Sequence, residues 1–269
     1  MGALDRNNVT LSGPVDGPVM VLSHGFGCDQ QVWGRVLPAL AATYRVVQLD
    51  LVGAGGSDPA AYDPVRYDSL DGYATDLVEV CDELGLRDAV LVGHSVSAMI
   101  GIAAAVERPD LFRRLVLVAP SPCYLDEPAT GYVGGFSRSD VEELLVSLDS
   151  NYFSWAASTA AMAMANPDTP ELADELTVSF CHMDPDVARQ FARVTFLSDC
   201  RHLLARVSTP ALVLQCRDDV LAPLEVGDYL HAHLAGSRLV RLRATGHLPH
   251  VSAPEETAAA ILEQLATVP

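Results

Sequence analysis

Two hydrophobic rhythms alternate along this chain. Short continuous apolar runs, which suit strands buried on both faces of a parallel sheet, stand at residues 18–23, 44–50, 89–92, 115–118, 211–216 and 238–242, and Asn8-Val9-Thr10-Leu11 has the look of an edge strand. Between them the apolar positions recur at helical intervals, over residues 32–40, through Leu70, Tyr73, Leu77, Cys81 and Leu84, and again over residues 224–234 and 254–265. Gly85 closes the second of these helices as a C-cap. Another helix follows residue 95 and runs to about Glu107, ending before Pro109. Repeated strand-helix-strand alternation predicts an α/β fold, a mostly parallel sheet with helices on both faces.

The rhythm changes after Pro122. From Tyr124 to Cys200 there is no convincing strand, only amphipathic helical segments at 141–148, 153–164, 171–181 and 187–196, punctuated by Asn166-Pro167 and Asp184-Pro185. A wholly helical insertion between two sheet strands is most simply a cap over the ends of those strands. The expected organisation is a core over residues 1–123, a helical lid over 124–200 and the rest of the core over 201–269. No internal repeat or low-complexity linker interrupts it.

Composition narrows the function. With 269 residues, 49% of them hydrophobic, the chain can bury one large core with an inserted subdomain. Its 35 Asp and Glu against 17 Lys and Arg give a formal charge of −18, so phosphate backbones and anionic membranes are repelled, and neither nucleic acid nor membrane is an expected partner. No basic segment leads into an apolar run at the start and no run reaches membrane-spanning length, so a cytoplasmic location is expected. Cys28, Cys81, Cys123, Cys181, Cys200 and Cys216 lack CxxC pairing and histidine spacing. They read as reduced thiols, with neither a zinc site nor a disulfide framework, and no cofactor is expected. Cys28 and Cys123 border the candidate site, which gives thiol reagents a route to inhibition without a cysteine nucleophile. The glycine-rich stretch from Gly53 to Gly56 has neither GxGxxG nor GKS/T, so it is no phosphate cradle.

The chemistry centres on Gly93-His94-Ser95-Val96-Ser97, where an apolar strand meets a small-residue helix. This is the G-x-S-x-G elbow that lifts a serine hydroxyl out of a sheet, with Ser97 in place of the last glycine. An ordinary turn that happens to hold a serine would explain this segment alone. It would not explain the other loops. Ligands of doubly wound sheets bind beyond the carboxyl ends of the strands, and His24-Gly25-Phe26, Asp219 and His247 all follow strands. The order Ser, Asp, His is that of an α/β-hydrolase triad. Ser95 would be the nucleophile, His247 the base that takes its proton, and Asp219 the group that orients His247. The backbone N–H groups of Phe26 and Val96 would stabilise the oxyanion. Of the adjacent Asp218 and Asp219, the second has a proline four residues on, Pro223, as hydrolase acid loops commonly do. His94 and His250 are expected to hydrogen-bond to backbone, and His24 to shape the oxyanion loop.

A closer resemblance lies in His24-Gly25-Phe26-Gly27 with Asp29-Gln30 and Trp33, Gly93-His94-Ser95-Val96-Ser97-Ala98-Met99, Ser121-Pro122-Cys123-Tyr124-Leu125, Asn151-Tyr152 with Trp155, and Gly246-His247-Leu248-Pro249-His250 with Ser252-Ala253-Pro254. Together these resemble the RsbQ family of bacterial stress-signalling hydrolases, to which the plant karrikin and strigolactone receptors are related, and Ser97 is itself a family feature. Cys123 and Gln215-Cys216-Arg217-Asp218-Asp219 look more like the bacterial branch. The resemblance implies a V-shaped four-helix lid over a hydrophobic pocket lined by Phe26, Tyr124, Phe180, Phe191 and Phe196. It also marks a departure. Thr159 stands where the family usually places phenylalanine, which makes one wall roomier or more polar. The expected function is a serine hydrolase acting on a small, largely apolar ester or lactone, in the manner of an RsbQ-like stress regulator with a phosphatase-type partner. The alternatives are a ligand sensor that binds a partner through its lid without turnover, and a C–C-bond hydrolase, which the absence of an obvious basic cluster in the lid disfavours. Dehalogenase and epoxide hydrolase chemistry attacks with aspartate and does not fit Ser95.

Overall fold

The computed structural model describes residues 2–266. In chain order they form α1 (Ala3–Arg6), β1 (Thr10–Ser12), β2 (Val19–Ser23), α2 (Leu37–Ala41), β3 (Arg45–Leu49), α3 (Leu70–Glu83), β4 (Ala89–His94), α4 (Val96–Glu107), β5 (Phe112–Val118), α5 (Arg138–Ser150), α6 (Tyr152–Met164), α7 (Pro170–His182), α8 (Pro185–Leu197), α9 (Arg201–Leu204), β6 (Ala211–Gln215), α10 (Leu224–His233), β7 (Arg238–Arg241), α11 (Pro249–Ser252) and α12 (Pro254–Ala266). The strands make one sheet in the order β1-β3-β2-β4-β5-β6-β7. β1 is antiparallel to β3, and every other neighbour is parallel. This is the α/β-hydrolase fold.

The period of two along each strand splits the core into two layers. Val21, Leu91, Leu115, Leu117 and Val213 face the layer that contains α3 and α4. Met20, Val90, Val92, Val116 and Leu212 face the other, against Trp33, Val36 and Leu40 and against Ala258 and Ile261 of α12. All six residues of β4 are buried, so the central strand carries no solvent face. α3 ends as expected of a left-handed glycine cap: Gly85 has φ +65°, and the Leu86 N–H reaches back to the Cys81 carbonyl at 2.8 Å.

The structure departs from the sequence pattern in a few places. Residues 32–40 do not form one helix but a 3-10 turn, Gln30–Trp33, and then α2. Pro38 has no N–H to give a continuous helix, and it sits in the first turn of α2 where none is needed. β5 begins at Phe112, before the apolar run, and α1, α9 and α11 are single turns too short to show a period.

Between β5 and β6 the chain inserts α5 to α8, with α6 packed on α7 and α5 on α8. The insertion leaves and rejoins the sheet at one point: Cys123 bridges Asp199, and the Cys200 N–H donates to the Pro122 carbonyl at 2.7 Å. No helix among the described residues is long and apolar enough to cross a membrane.

Candidate active site

Ser95 sits at the junction of β4 and α4 with φ +56° and ψ −122°, a conformation costly for a residue with a side chain. Two features hold it there. The Ser95 N–H donates to the Val118 carbonyl on the adjacent strand at 2.9 Å. Gly93 lets helix approach strand, for a Cβ there would lie 2.5 Å from the Ser97 carbonyl oxygen. Ser97, the departure from the glycine pattern, is fully buried and occupied: Ser23 Oγ donates to it at 2.9 Å, and it donates to the His24 carbonyl. Its hydroxyl ties the elbow to the end of β2 and to the loop that follows.

That loop is held by His24. Its Nδ1–H donates to the Gly25 carbonyl at 2.8 Å and its Nε2 accepts from the Leu51 N–H at 3.0 Å, an arrangement that assigns the neutral tautomer. Burial pushes its pKa down, in keeping with a structural, uncharged ring. A side chain at Gly25 would run into His94 Nδ1 at 2.5 Å, so the backbone can lie this close to the elbow only with glycine. Among the described residues, neither the Phe26 nor the Val96 N–H has a hydrogen-bond acceptor.

The last two loops, those that follow β6 and β7, meet at Ser95. Gly246, at φ +81°, passes so close to the end of α6 that a Cβ would collide with the Met164 carbonyl. The next residue, His247, donates its backbone N–H to the Ala163 carbonyl at 2.7 Å. Its ring spans the gap: Nε2 lies 2.7 Å from Ser95 Oγ and Nδ1 lies 2.7 Å from Asp219 Oδ2. Asp219 cannot donate, so Nδ1 carries the proton and Nε2 is free to accept from Ser95. The other Asp219 oxygen accepts from the Leu221 and Ala222 N–H groups at 2.9 and 3.2 Å, which fixes the carboxylate. Asp218 points outward, two-thirds exposed and paired with Arg217.

A small chamber of about 30 Å³ opens onto Ser95 and His247. It is lined by Phe26, Tyr124, Thr159, Phe180 and Phe196 of the residues expected there. Phe191 is not part of the lining. It lies behind the wall, 5.4 Å from the Phe26 ring and 4.6 Å from Tyr73, because its helical face turns into the core. The sequence reading missed Thr195, Leu176, Leu221 and Leu248, which also line the chamber. Thr195 was within reach, since it falls one helical turn after Phe191 on α8. The Tyr124 hydroxyl stands 3.2 Å from Ser95 Oγ, and burial raises its pKa, so it is a protonated donor beside Ser95.

Of the expectations around the site, one holds and two change. His94 does bond to backbone, its Nε2–H donating to the His247 carbonyl at 2.9 Å, and burial followed by the neighbouring His250 and His247 holds its pKa well below normal. His250 does not. Both its ring nitrogens are buried without a partner among the described residues, and its ring lies against Trp33 at 4.4 Å and edge-on to His94 at 4.6 Å. Cys28 lines the chamber, but burial pushes its thiol up to about 12, and Cys123 is raised likewise, so neither offers a reactive thiolate. No group of His, Cys, Asp or Glu among the described residues is placed to hold a metal ion. A wider cleft of 730 Å³ between α3–α4 and α8–α9 shares no residue with the chamber.

Residues 20–260 match the alpha/beta hydrolase family. The chain is 40% identical over 257 residues to a probable esterase of Oryza sativa subsp. japonica, covering 95% of this chain and 94% of that one. It is 38% identical over 267 residues to a karrikin insensitive 2 receptor of Petunia hybrida, covering 98% of each. Among solved structures, a hydrolase from Oleispira antarctica superposes with a TM-score of 0.96 at 39% identity, over 99% of this chain and 97% of that one.

Proposed function

This chain belongs to the alpha/beta hydrolase family and is an esterase-type hydrolase, and from that premise we propose that Ser95, His247 and Asp219 are its catalytic triad and that its substrate is a small, largely apolar ester or lactone. The unbroken chain of 2.7 Å contacts from Ser95 Oγ through His247 to Asp219 carries this reading. Ser95 Oγ attacks the substrate carbonyl as its proton passes to His247 Nε2, and Asp219 stabilises the resulting imidazolium. The Phe26 and Val96 N–H groups, which have no acceptor among the described residues, receive the oxyanion. Collapse expels the alcohol, which takes the proton from His247. Water, deprotonated by His247, then releases the acid from Ser95. Residues 124–200 act as the lid on this reading, since α6, α7 and α8 supply Thr159, Phe180 and Phe196 to the chamber.

The chamber favours an ester or lactone over an acidic C–C-bond substrate, because no arginine or lysine is among its lining residues. The test is hydrolysis of p-nitrophenyl acetate and butyrate, with labelling by a fluorophosphonate. Wild type turns over and labels at Ser95, while Ser95→Ala, still folded, does neither. A Ser95→Ala protein that matched wild type would remove the triad assignment.

A second reading, in which hydrolysis serves an RsbQ-like signal passed to a phosphatase-type partner through the lid, is favoured by the exposed apolar residues Val146, Phe153, Val178 and Leu197 on α5 to α8. The printed name of the petunia relative, a receptor, points the same way. Phe153→Ser with wild-type hydrolysis but a lost stress response in the host supports it. An intact response in that variant opposes it.

A further inference from the structure

We propose that Thr159 and Thr195 form a polar recognition spot in the lid, which selects esters or lactones carrying a second oxygen, as a hydroxyl or ether, beyond the scissile carbonyl. This rests on the hydrolase reading above and narrows its substrate class. The rest of the chamber wall is aromatic and aliphatic: Phe26, Phe180 and Phe196 with Leu176, Leu221 and Leu248. Apart from the Ser95–His247 pair, Tyr124, which faces Ser95, and His94 and Cys28, its polar side chains are these two threonines, one on α6 and one on α8.

Neither hydroxyl is used by the protein. Thr195 is 1% exposed and its Oγ1 is buried without a hydrogen-bond partner. Threonine inside a helix usually bonds back to the carbonyl four residues earlier, as Thr177 does on α7 to Ala173 at 2.8 Å. Thr195 makes no such bond. Thr159 is 7% exposed, lines the same chamber and has no protein partner among the described residues. A buried hydroxyl left unpaired is disfavoured, and valine would fill either site with the same shape. The unpaired Thr195 hydroxyl, with Thr159 in the wall of the same chamber, is explained by a ligand that supplies the missing hydrogen bond. A site built this way discriminates against the analogue lacking the oxygen, because that analogue strands the site's own polar groups.

The experiment compares kcat/KM within matched pairs, p-nitrophenyl 3-hydroxybutyrate (each enantiomer) against p-nitrophenyl butyrate for an acyl-side oxygen, and 2-hydroxyethyl butyrate against propyl butyrate for an alcohol-side oxygen. Wild type is expected to prefer the oxygenated member of at least one pair by about tenfold. Thr195→Val and Thr159→Val should each pull that ratio toward one, chiefly by slowing the oxygenated member, while Thr195→Ser keeps it. Because the ratio is taken between variants, the intrinsic reactivity of each ester cancels. Thr195→Val is expected to melt no lower than wild type, and should it fail to fold, Thr159→Val reads the same ratio. Ratios unchanged in both valine variants, or no preference in wild type, overturn the proposal while the esterase reading stands. Wild type inert on all five esters and unlabelled by a fluorophosphonate overturns the parent reading and this one together.

Discussion

Replacing Ser97 with alanine tests the idea that this position does more than fit into a tight corner. Ser97, Ser23 and His24 are all fully buried. The Ser97 hydroxyl accepts from Ser23 Oγ at 2.9 Å and donates to the His24 carbonyl, so Ser97→Ala strands one buried hydroxyl and one buried carbonyl. Each stranded group costs about 1–3 kcal/mol, and since the Ser23 hydroxyl can turn, a total of about 3 kcal/mol is expected. At roughly 2–4 °C per kcal/mol for a domain of this size, the midpoint should fall by about 6–12 °C. The effect should reach the chemistry, because the freed carbonyl begins the loop that ends in the Phe26 N–H. An oxyanion donor is worth about 3 kcal/mol, and losing half of that alignment lowers kcat roughly tenfold with KM little changed. Calorimetry and p-nitrophenyl butyrate kinetics on Ser97→Ala and Ser97→Gly measure both. If Ser97→Gly, the residue of the common elbow, kept wild-type melting and kcat, the hydroxyl would have no role beyond its size.

Asp219→Asn should lower kcat by about 10⁴ through loss of the correct His247 tautomer, whereas Asp218→Asn, which alters only an exposed pair with Arg217, should stay within about twofold of wild type; steady-state kinetics separate the two, and equal effects would mean the wrong carboxylate had been chosen. His250 governs an acid limb of stability. Burial lowers its pKa to about 3 from an unfolded value of 6.5, so between those values the unfolded chain binds a proton that the folded chain refuses. The stability is complete above pH 6.5 and drains as pH falls, by about 2 kcal/mol per such histidine at pH 5. His94 and His24, also lowered, add in the same direction. His250→Phe should therefore flatten the fall in melting temperature between pH 7 and pH 5, and a slope identical to wild type would count against a neutral buried His250.

Much of the site was legible because it is built from local signals. Each loop proposed to be catalytic follows an apolar strand, so the sheet's own polarity gathers Ser95, Asp219, His247 and the His24-Gly25-Phe26 turn at one rim without any knowledge of side-chain packing. What stayed hidden depends on how a helix is rotated. Phe191 and Thr195 share one face of α8, yet the first ends behind the chamber and the second in its wall, a difference that the helical period alone does not set. His250 was misread for a related reason. Its type suggests a hydrogen bond to backbone, but nearby polar groups are already committed: the His247 carbonyl accepts from His94, and the Leu248 carbonyl from the Val251 and Ser252 N–H groups. The split of residues 32–40 follows from Pro38, whose missing N–H outweighs the hydrophobic spacing.

The inserted helices are also fastened to the catalytic loops at several separate points, and this bears on how hydrolysis and signalling could belong to one protein. Ser179 on α7 donates to the Gly27 carbonyl of the oxyanion loop at 2.9 Å. The end of α6 accepts the His247 N–H through Ala163, and Asn166 just beyond it donates to the Thr245 carbonyl at 3.3 Å. Phe180 packs so tightly on Gly27 that no side chain could stand there. A chamber of about 30 Å³ cannot hold an ester of more than a few atoms unless its walls shift. Any shift of α6 or α7 is shared with the Gly27 and His247 loops through these bonds, so on the proposed mechanism a ligand that moved these helices would also shift the groups that cleave it. On the proposed mechanism, acylation of Ser95 would bias the inserted helices by the same linkage. Under the signalling reading, turnover and output would then be two measurements of one movement, and variants that loosen Ser179 or Asn166 should change both together.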